Sequence, residues 1–211
     1  FAISVNGNSR RRYGGGSMVT PGSYSASLHL EQNGKVTILD GPISFEVKSI
    51  REGVLKGASY SDYNKFRIEL TSLLSEINAV QDVLSESNKK QKAFVKALGR
   101  TNIIPGTTES KLASLKEELT RINKILSGSP SRSEVGERNP AGLQNFLYSA
   151  FDGLENTYGP TDLHKKSLAT AKELLKEVKS EVKTVIETKV SEIEKILKLA
   201  GSPYINGQGM D

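Results

Sequence analysis

The chain has 211 residues, enough for two small domains or one larger one, with 36% hydrophobic and 25% charged residues and no Trp. It has no Cys, which excludes disulfides and thiolate zinc sites but leaves the compartment open. The net charge of +5 is spread over lysine-rich faces, the only dense basic run being Arg10, Arg11 and Arg12, so nucleic acid is not expected as a partner.

The chain opens on Phe1, Ile3 and Val5, an alternating apolar stretch without Met or a polar lead-in. This reads as a cut in a longer chain. Pro21-Gly22 then marks a turn into a strand with Tyr24, Ala26, Leu28 and Leu30 on one face. Asn33-Gly34 is the dipeptide suited to a type I′ hairpin turn, because both central residues need positive φ. A return strand carries Val36 and Ile38. Asp40-Gly41-Pro42 is expected to break it, after which Ile43, Phe45 and Val47 alternate again.

Residues 1–57 therefore read as three or four strands of a partial antiparallel β-sandwich, an immunoglobulin- or fibronectin-like remnant. A full sandwich of this kind needs about 100 residues and two sheets. One apolar sheet face is thus expected to find its cover elsewhere: in upstream residues, in the helices, or in a second copy as a homodimer through the incomplete sheet.

From Ser59 the period changes, and residues 58–211 read as an antiparallel bundle of long helices. Ser59 with Asp62 forms a capping-box pattern. Tyr63, Phe66, Leu70, Leu73, Ile77, Val80 and Leu84 then step by three and four, a heptad seam that turns polar at Ser87 and Gln91 before Phe94 and Leu98. This predicts a helix near 60–99. Leu112, Leu115, Leu119, Ile122 and Leu126 predict a second near 109–127, followed by a Ser-, Pro- and Gly-rich linker.

Asn139-Pro140 reads as an N-cap and first turn of a third helix near 140–157, burying Leu143, Leu147, Phe151 and Leu154. Thr161 caps a fourth near 161–199. Its seam runs Leu168, Ala171, Leu175, Val178 and Val182, then slips to Ile186, Val190, Ile193 and Leu197. The two middle helices are each about half as long as the outer two. Stacking them end to end covers the most seam, since apolar surface left wet costs about 25 cal/mol per Å². A four-helix arrangement remains open if the sheet covers the other half.

The chemistry-bearing residues are sparse. His29 lies in a strand on the face opposite Leu28 and Leu30, and His164 in a first helical turn beside Lys165 and Lys166. Neither has a second His or a carboxylate at metal-ligand spacing, so no metal is expected. Gly14-Gly15-Gly16 leads into a strand, not a helix N-terminus, and lacks the dipole of a phosphate loop. The helical glutamates Glu109, Glu117, Glu118, Glu173, Glu177, Glu181, Glu187, Glu192 and Glu194 sit among lysines. General acid–base work instead needs one carboxyl desolvated, so these read as pairing residues at i,i+3 and i,i+4. No catalytic residue, cofactor or hydrolytic activity is expected of this chain. No run of apolar residues is long enough to span a membrane.

The loop "NSRRRYGGGSMVTPGSYSASL", the strand after Pro21-Gly22-Ser23-Tyr24, the turn Asn33-Gly34-Lys35 and the tail Ala200-Gly201-Ser202-Pro203-Tyr204-Ile205 carry a family resemblance. Together they resemble the C-terminal region of large bacterial proteins with sortilin-type β-propellers, labelled glycosyl hydrolases with Asp-box repeats. The resemblance implies a periplasmic or secreted protein whose propeller lies upstream in the same polypeptide. This region would then be a non-catalytic structural or interaction module. The alternative is an accessory part of a glycoside hydrolase, lending loop residues Arg10 to Tyr13 to an upstream active site. The Asp-box pattern requires Trp and cannot occur in this chain, and the positions that match the family are turn and strand residues, so the resemblance transfers no functional residue.

Overall fold

The turn at Asn33 (φ 53°) and Gly34 (φ 72°) has both residues in the left-handed region, as the type I′ geometry demands. It joins β3 (Gly22–Gln32) to β4 (Lys35–Val47) in an antiparallel two-stranded sheet. A separate pair, β1 (Ala2–Ile3) with β2 (Ser17–Met18), precedes it. The structure, a computed structural model, describes residues 2–3, 17–50, 56–104, 106–138 and 140–202. The chain is α+β and divides into two units, Phe1–Lys65 and Phe66–Asp211.

The hairpin corrects one expectation directly. Asp40-Gly41-Pro42 does not end the return strand; β4 is continuous across it, and two register shifts absorb the irregularity. One lies between the Ala26 and Leu28 pairings, the other between those of Leu28 and His29. Gly41 (φ +92°) makes this possible, because a Cβ there would stand 2.6 Å from the Ala26 carbonyl oxygen. The observed sheet is therefore two long strands, not three short ones. At its base the buried Thr20 is held twice. Its carbonyl accepts the Tyr24 hydroxyl at 2.7 Å, and its Oγ1 accepts Asn64 Nδ2 at 2.8 Å.

Helix α1 spans Tyr60–Leu98. Ser59 starts it: its Oγ accepts the Asp62 backbone N–H at 3.0 Å and donates to the Asp62 carboxylate at 2.7 Å. α2 spans Gly106–Ser127, a short α3 Pro130–Glu134, and α4 Leu143–Glu155. Two boundaries differ from expectation. The Ser-, Pro- and Gly-rich linker contains α3, and α4 begins at Leu143, so Pro140 lies before the helix. Gly142 occupies the N-cap position, its N–H donating to Asn145 Oδ1 at 2.9 Å. A Cβ on Gly142 would lie 2.9 Å from the Ile125 carbonyl oxygen, so α4 starts hard against the end of α2. Asn139 lies outside the described residues.

α5 (Asp162–Val185) continues through a π-helical turn, Ile186–Val190, into α6 (Ser191–Leu199). The buried series runs Leu168, Ala171, Leu175, Val178, Val182, Val185, Val190, Ile193 and Leu197. Its slip thus falls between Val185 and Val190, a step of five, and Ile186 is only partly buried. A π-turn adds one residue to the helical repeat, which is what a four-residue step lengthened to five requires. The Ser191 N–H accordingly reaches back five residues to the Ile186 carbonyl.

The ion pairs fix helix directions. Glu69 meets Lys172 and Glu76 meets Lys179, both 103 residues apart, so α1 runs parallel to α5. Arg121 meets Glu181 and Lys111 meets Glu192, so α2 runs antiparallel to α5 and α6. Ser149 meets Ser167 at 3.1 Å and Gly153 lies against His164, placing α4 antiparallel to the start of α5. α2 and α4 therefore lie in succession along the continuous α5–α6 rod, and α1 completes the packing. Leu70, Leu73, Ile77, Val80, Leu175, Val178 and Val182 are buried in one cluster with Leu112, Leu115, Leu119 and Leu143. Of the two polar residues buried in the α1 seam, Ser87 is satisfied within its own helix and Gln91 by α2. Ser87 Oγ donates to the Val83 carbonyl at 2.8 Å, and Gln91 Nε2 points to the Leu112 carbonyl at 3.5 Å.

Candidate interaction surface

Antiparallel partners share a sheet face, so the pairing of β3 with β4 assigns every side chain to a side. Tyr24 lies beside Phe45 and Ala26 beside Ile43, and the Tyr24 and Phe45 rings stack at 6.0 Å between centroids. Along β3 the same face carries Leu28 and Leu30, opposite Asp40 and Thr37. The other face carries His29 and Glu31, and their partners are Ile38 and Val36. Single-face patterning expects Val36 and Ile38 beside the leucines; the two-residue turn instead pairs Gln32 with Lys35, which sets Val36 against Glu31 and Ile38 against His29 on the other side. Both faces of the sheet are consequently apolar in part.

The apolar side chains described on this sheet are exposed in whole or in part. Leu28 is 59% exposed, Val36 59%, Ile38 63% and Ile43 62%, and no described residue of either strand is buried. Every buried apolar residue among those described belongs to the helices. The exposed apolar side chains are divided between the two faces of the hairpin. Clustered exposed apolar side chains of this kind mark interaction sites.

The residues considered for chemistry are placed as follows. His29 is exposed beside Ile38. His164 is structural: its Nδ1 accepts the Thr161 N–H at 3.1 Å, and its ring lies where a Cβ on Gly153 would stand, 2.9 Å away. Arg10 to Tyr13 and Gly14 to Gly16 lie outside the described residues. Among the described residues no group of three His, Asp or Glu side chains is arranged to hold a metal, and no helix is long and apolar enough to cross a membrane.

The glutamates do pair, but mostly across helices and not along one. Glu118 accepts Lys189 of the π-turn, which also donates to Ser114 at 2.9 Å. Glu194 meets Lys90 of α1 at 3.9 Å. Arg121 donates a bidentate bond to Glu181, which holds its guanidinium above its ordinary pKa, the direct hydrogen bond being the largest cause. Between α1 and α5 an open groove of about 520 Å³ is lined by Ile68, Ser72 and the Glu69–Lys172 and Glu76–Lys179 pairs. Its carboxylates are each bonded to a lysine on the surface, the reverse of a desolvated general acid.

Comparison with protein families, with curated proteins and with solved structures finds no match for this chain. The hairpin is thus characterised by its own geometry. One signal in the sequence could have located its two-sided character. A two-residue Asn33-Gly34 turn pairs Gln32 with Lys35, and so sets Val36 opposite Glu31 and Ile38 opposite His29.

Proposed function

We propose that this chain is a non-catalytic structural and interaction module of a larger extracytoplasmic protein, periplasmic or secreted, built around a sortilin-type β-propeller. In this reading the β3–β4 sheet is part of an immunoglobulin- or fibronectin-like sandwich completed by β-structure outside the chain. The helices form an antiparallel bundle that spaces or caps the assembly. The observation that supports the reading is the hairpin with Leu28, Leu30, Val36, Ile38 and Ile43 exposed over two faces. An isolated two-stranded hairpin is marginal in water, and a further sheet or helix layer is what stabilises one.

The test is amide hydrogen exchange of residues 22–47, measured on this chain at low concentration and on the longer parent protein. Docking predicts at least tenfold slower exchange in the parent. Equal rates would overturn the docking role. The non-catalytic part is tested separately on aryl glycosides with the purified chain, where no turnover is expected. Turnover abolished by replacing a single carboxylate would overturn it.

A further inference from the structure

The two outer edges of the hairpin differ. β4 carries the devices that keep an edge from pairing: two register shifts, Pro42 without an N–H, and the charges Lys35, Asp40 and Glu46. β3 carries none along Gly22–Leu30. It has no Pro, no Lys and no bulged residue of its own, and its one carboxylate, Glu31, is next to last. Among the described residues no strand pairs with its outer edge. Eleven residues of regular strand with free backbone groups are a template for another strand.

The residues of β3 name the occupant. We propose that β3 pairs antiparallel with β3 of a second copy of this chain, about a two-fold axis at Ser27. Ser27 is the central residue of the strand, so this register overlaps all eleven positions. It sets Ala26 against Leu28 of the second copy and Tyr24 against Leu30, joining the two apolar rows into one. On the other face Ser25 meets His29 and Ser23 meets Glu31, so small residues oppose large ones and no like charges meet. Shifting the axis to His29 or Glu31 sets those residues against themselves and shortens the overlap. A full-length pairing supplies about ten backbone hydrogen bonds, the number in a standard protein interface. The product is a four-stranded sheet, β4–β3–β3–β4, with both guarded edges outermost. This pairing uses the edge and is independent of what covers the faces, so it stands or falls apart from the propeller reading.

The absence of cysteine makes the register directly measurable. S27C places two thiols opposite each other, at the ~4.5–5.5 Å between Cα atoms of facing antiparallel residues, a spacing a disulfide spans. S25C puts its two thiols about 14 Å apart, four residues along the strand. Under mild oxidation S27C is expected to give a disulfide dimer at least tenfold faster than S25C. Light scattering of the unmodified chain should pass from 22.9 kDa to twice that mass as concentration rises. S27D, which opposes two carboxylates on the axis, should weaken the dimer at least tenfold while leaving helical ellipticity unchanged. A chain monomeric up to millimolar concentration, equal cross-linking of S25C and S27C, or a dimer indifferent to S27D would each overturn the proposal.

Discussion

The hairpin and the helices solve the same problem with opposite results. Both are long elements with patterned apolar residues. Each helix offers one stripe, and the rods close those stripes on one another, leaving Leu115, Ile122, Leu143 and Val178 at 0% exposure. A two-stranded sheet has two faces, and here the register set by the Asn33-Gly34 turn puts Val36 and Ile38 on one and Leu28, Leu30, Ile43 and Phe45 on the other. The described helices bury their stripes on one another, whereas the hairpin leaves its apolar side chains exposed. Stability should be distributed accordingly, with global unfolding governed by the helices and local opening by the hairpin.

The sharpest way to break this comparison is to truncate one leucine in each region. Leu115→Ala removes a fully buried side chain and should cost about 2–5 kcal/mol, the range for cavity-forming core substitutions. Leu30→Ala, at a position 46% exposed, should stay within about 0.5 kcal/mol. Urea denaturation followed by helical ellipticity measures both. Equal losses would mean that the hairpin is part of the cooperative core.

A glycine sharpens it further. Gly41→Ala places a methyl 2.6 Å from the Ala26 carbonyl at a φ of +92°, a clash combined with an unfavourable backbone region. We expect about 1–3 kcal/mol of destabilisation, confined to the hairpin. Amide exchange over residues 22–47 should accelerate, while the helical melting transition stays in place. A shift of the helical transition by the same amount would join the two regions energetically.

Much of the fold was legible, and what was not shares a physical cause. The Asn33-Gly34 turn, the Ser59 cap and the heptad seams of α1 and α2 depend on residues a few positions apart, and local patterning reads them. The continuity of β4 depends on β3 accepting two extra residues opposite it, which no property of β4 announces. The start of α4 at Gly142 depends on the end of α2 arriving against it. The glutamates read as intrahelical partners because only sequence neighbours are visible in a sequence; Glu187 does pair with Lys183 at i,i+4, but Glu118, Glu181, Glu192 and Glu194 find their cations on other helices. The candidate surface was legible in kind, as apolar strands lacking a cover. It was misread in geometry, because the assignment of Val36 and Ile38 to a face rests on pairing.

The π-turn offers a finer test within the helical unit. If the residues between Val185 and Val190 contain one insertion, deleting exposed Thr188 restores a four-residue step and keeps both halves of the seam buried. The change should stay within about 1 kcal/mol, because a π-bulge is a local insertion into an otherwise regular helix. Deleting Lys176 instead moves Val178, Val182 and Val185 off the core, and should cost several-fold more. Urea midpoints of the two deletions compare them, and equal losses would contradict the insertion account.

The smallest expected effect belongs to the surface pairs that lace the helices together. Arg121→Gln removes the bidentate bond to Glu181, both side chains remaining in contact with solvent. Exposed pairs contribute about 0.2–1 kcal/mol, so the loss should be well below that of Leu115→Ala. It should shrink further in about 1 M salt, where the screening length falls to ~3 Å. The pH dependence has a definite sign. The guanidinium pKa is raised above its ordinary value by Glu181, so its contribution is fully present below that ordinary value and is lost only as pH rises past the raised one. Raising pH from neutral to about 10 should therefore leave the difference between the variant and the unmodified chain unchanged. Urea midpoints at low and high salt and at both pH values measure it. A loss comparable to that of a core leucine, or one insensitive to salt, would show that these pairs hold the helices together; the geometry assigns that work to the buried seams.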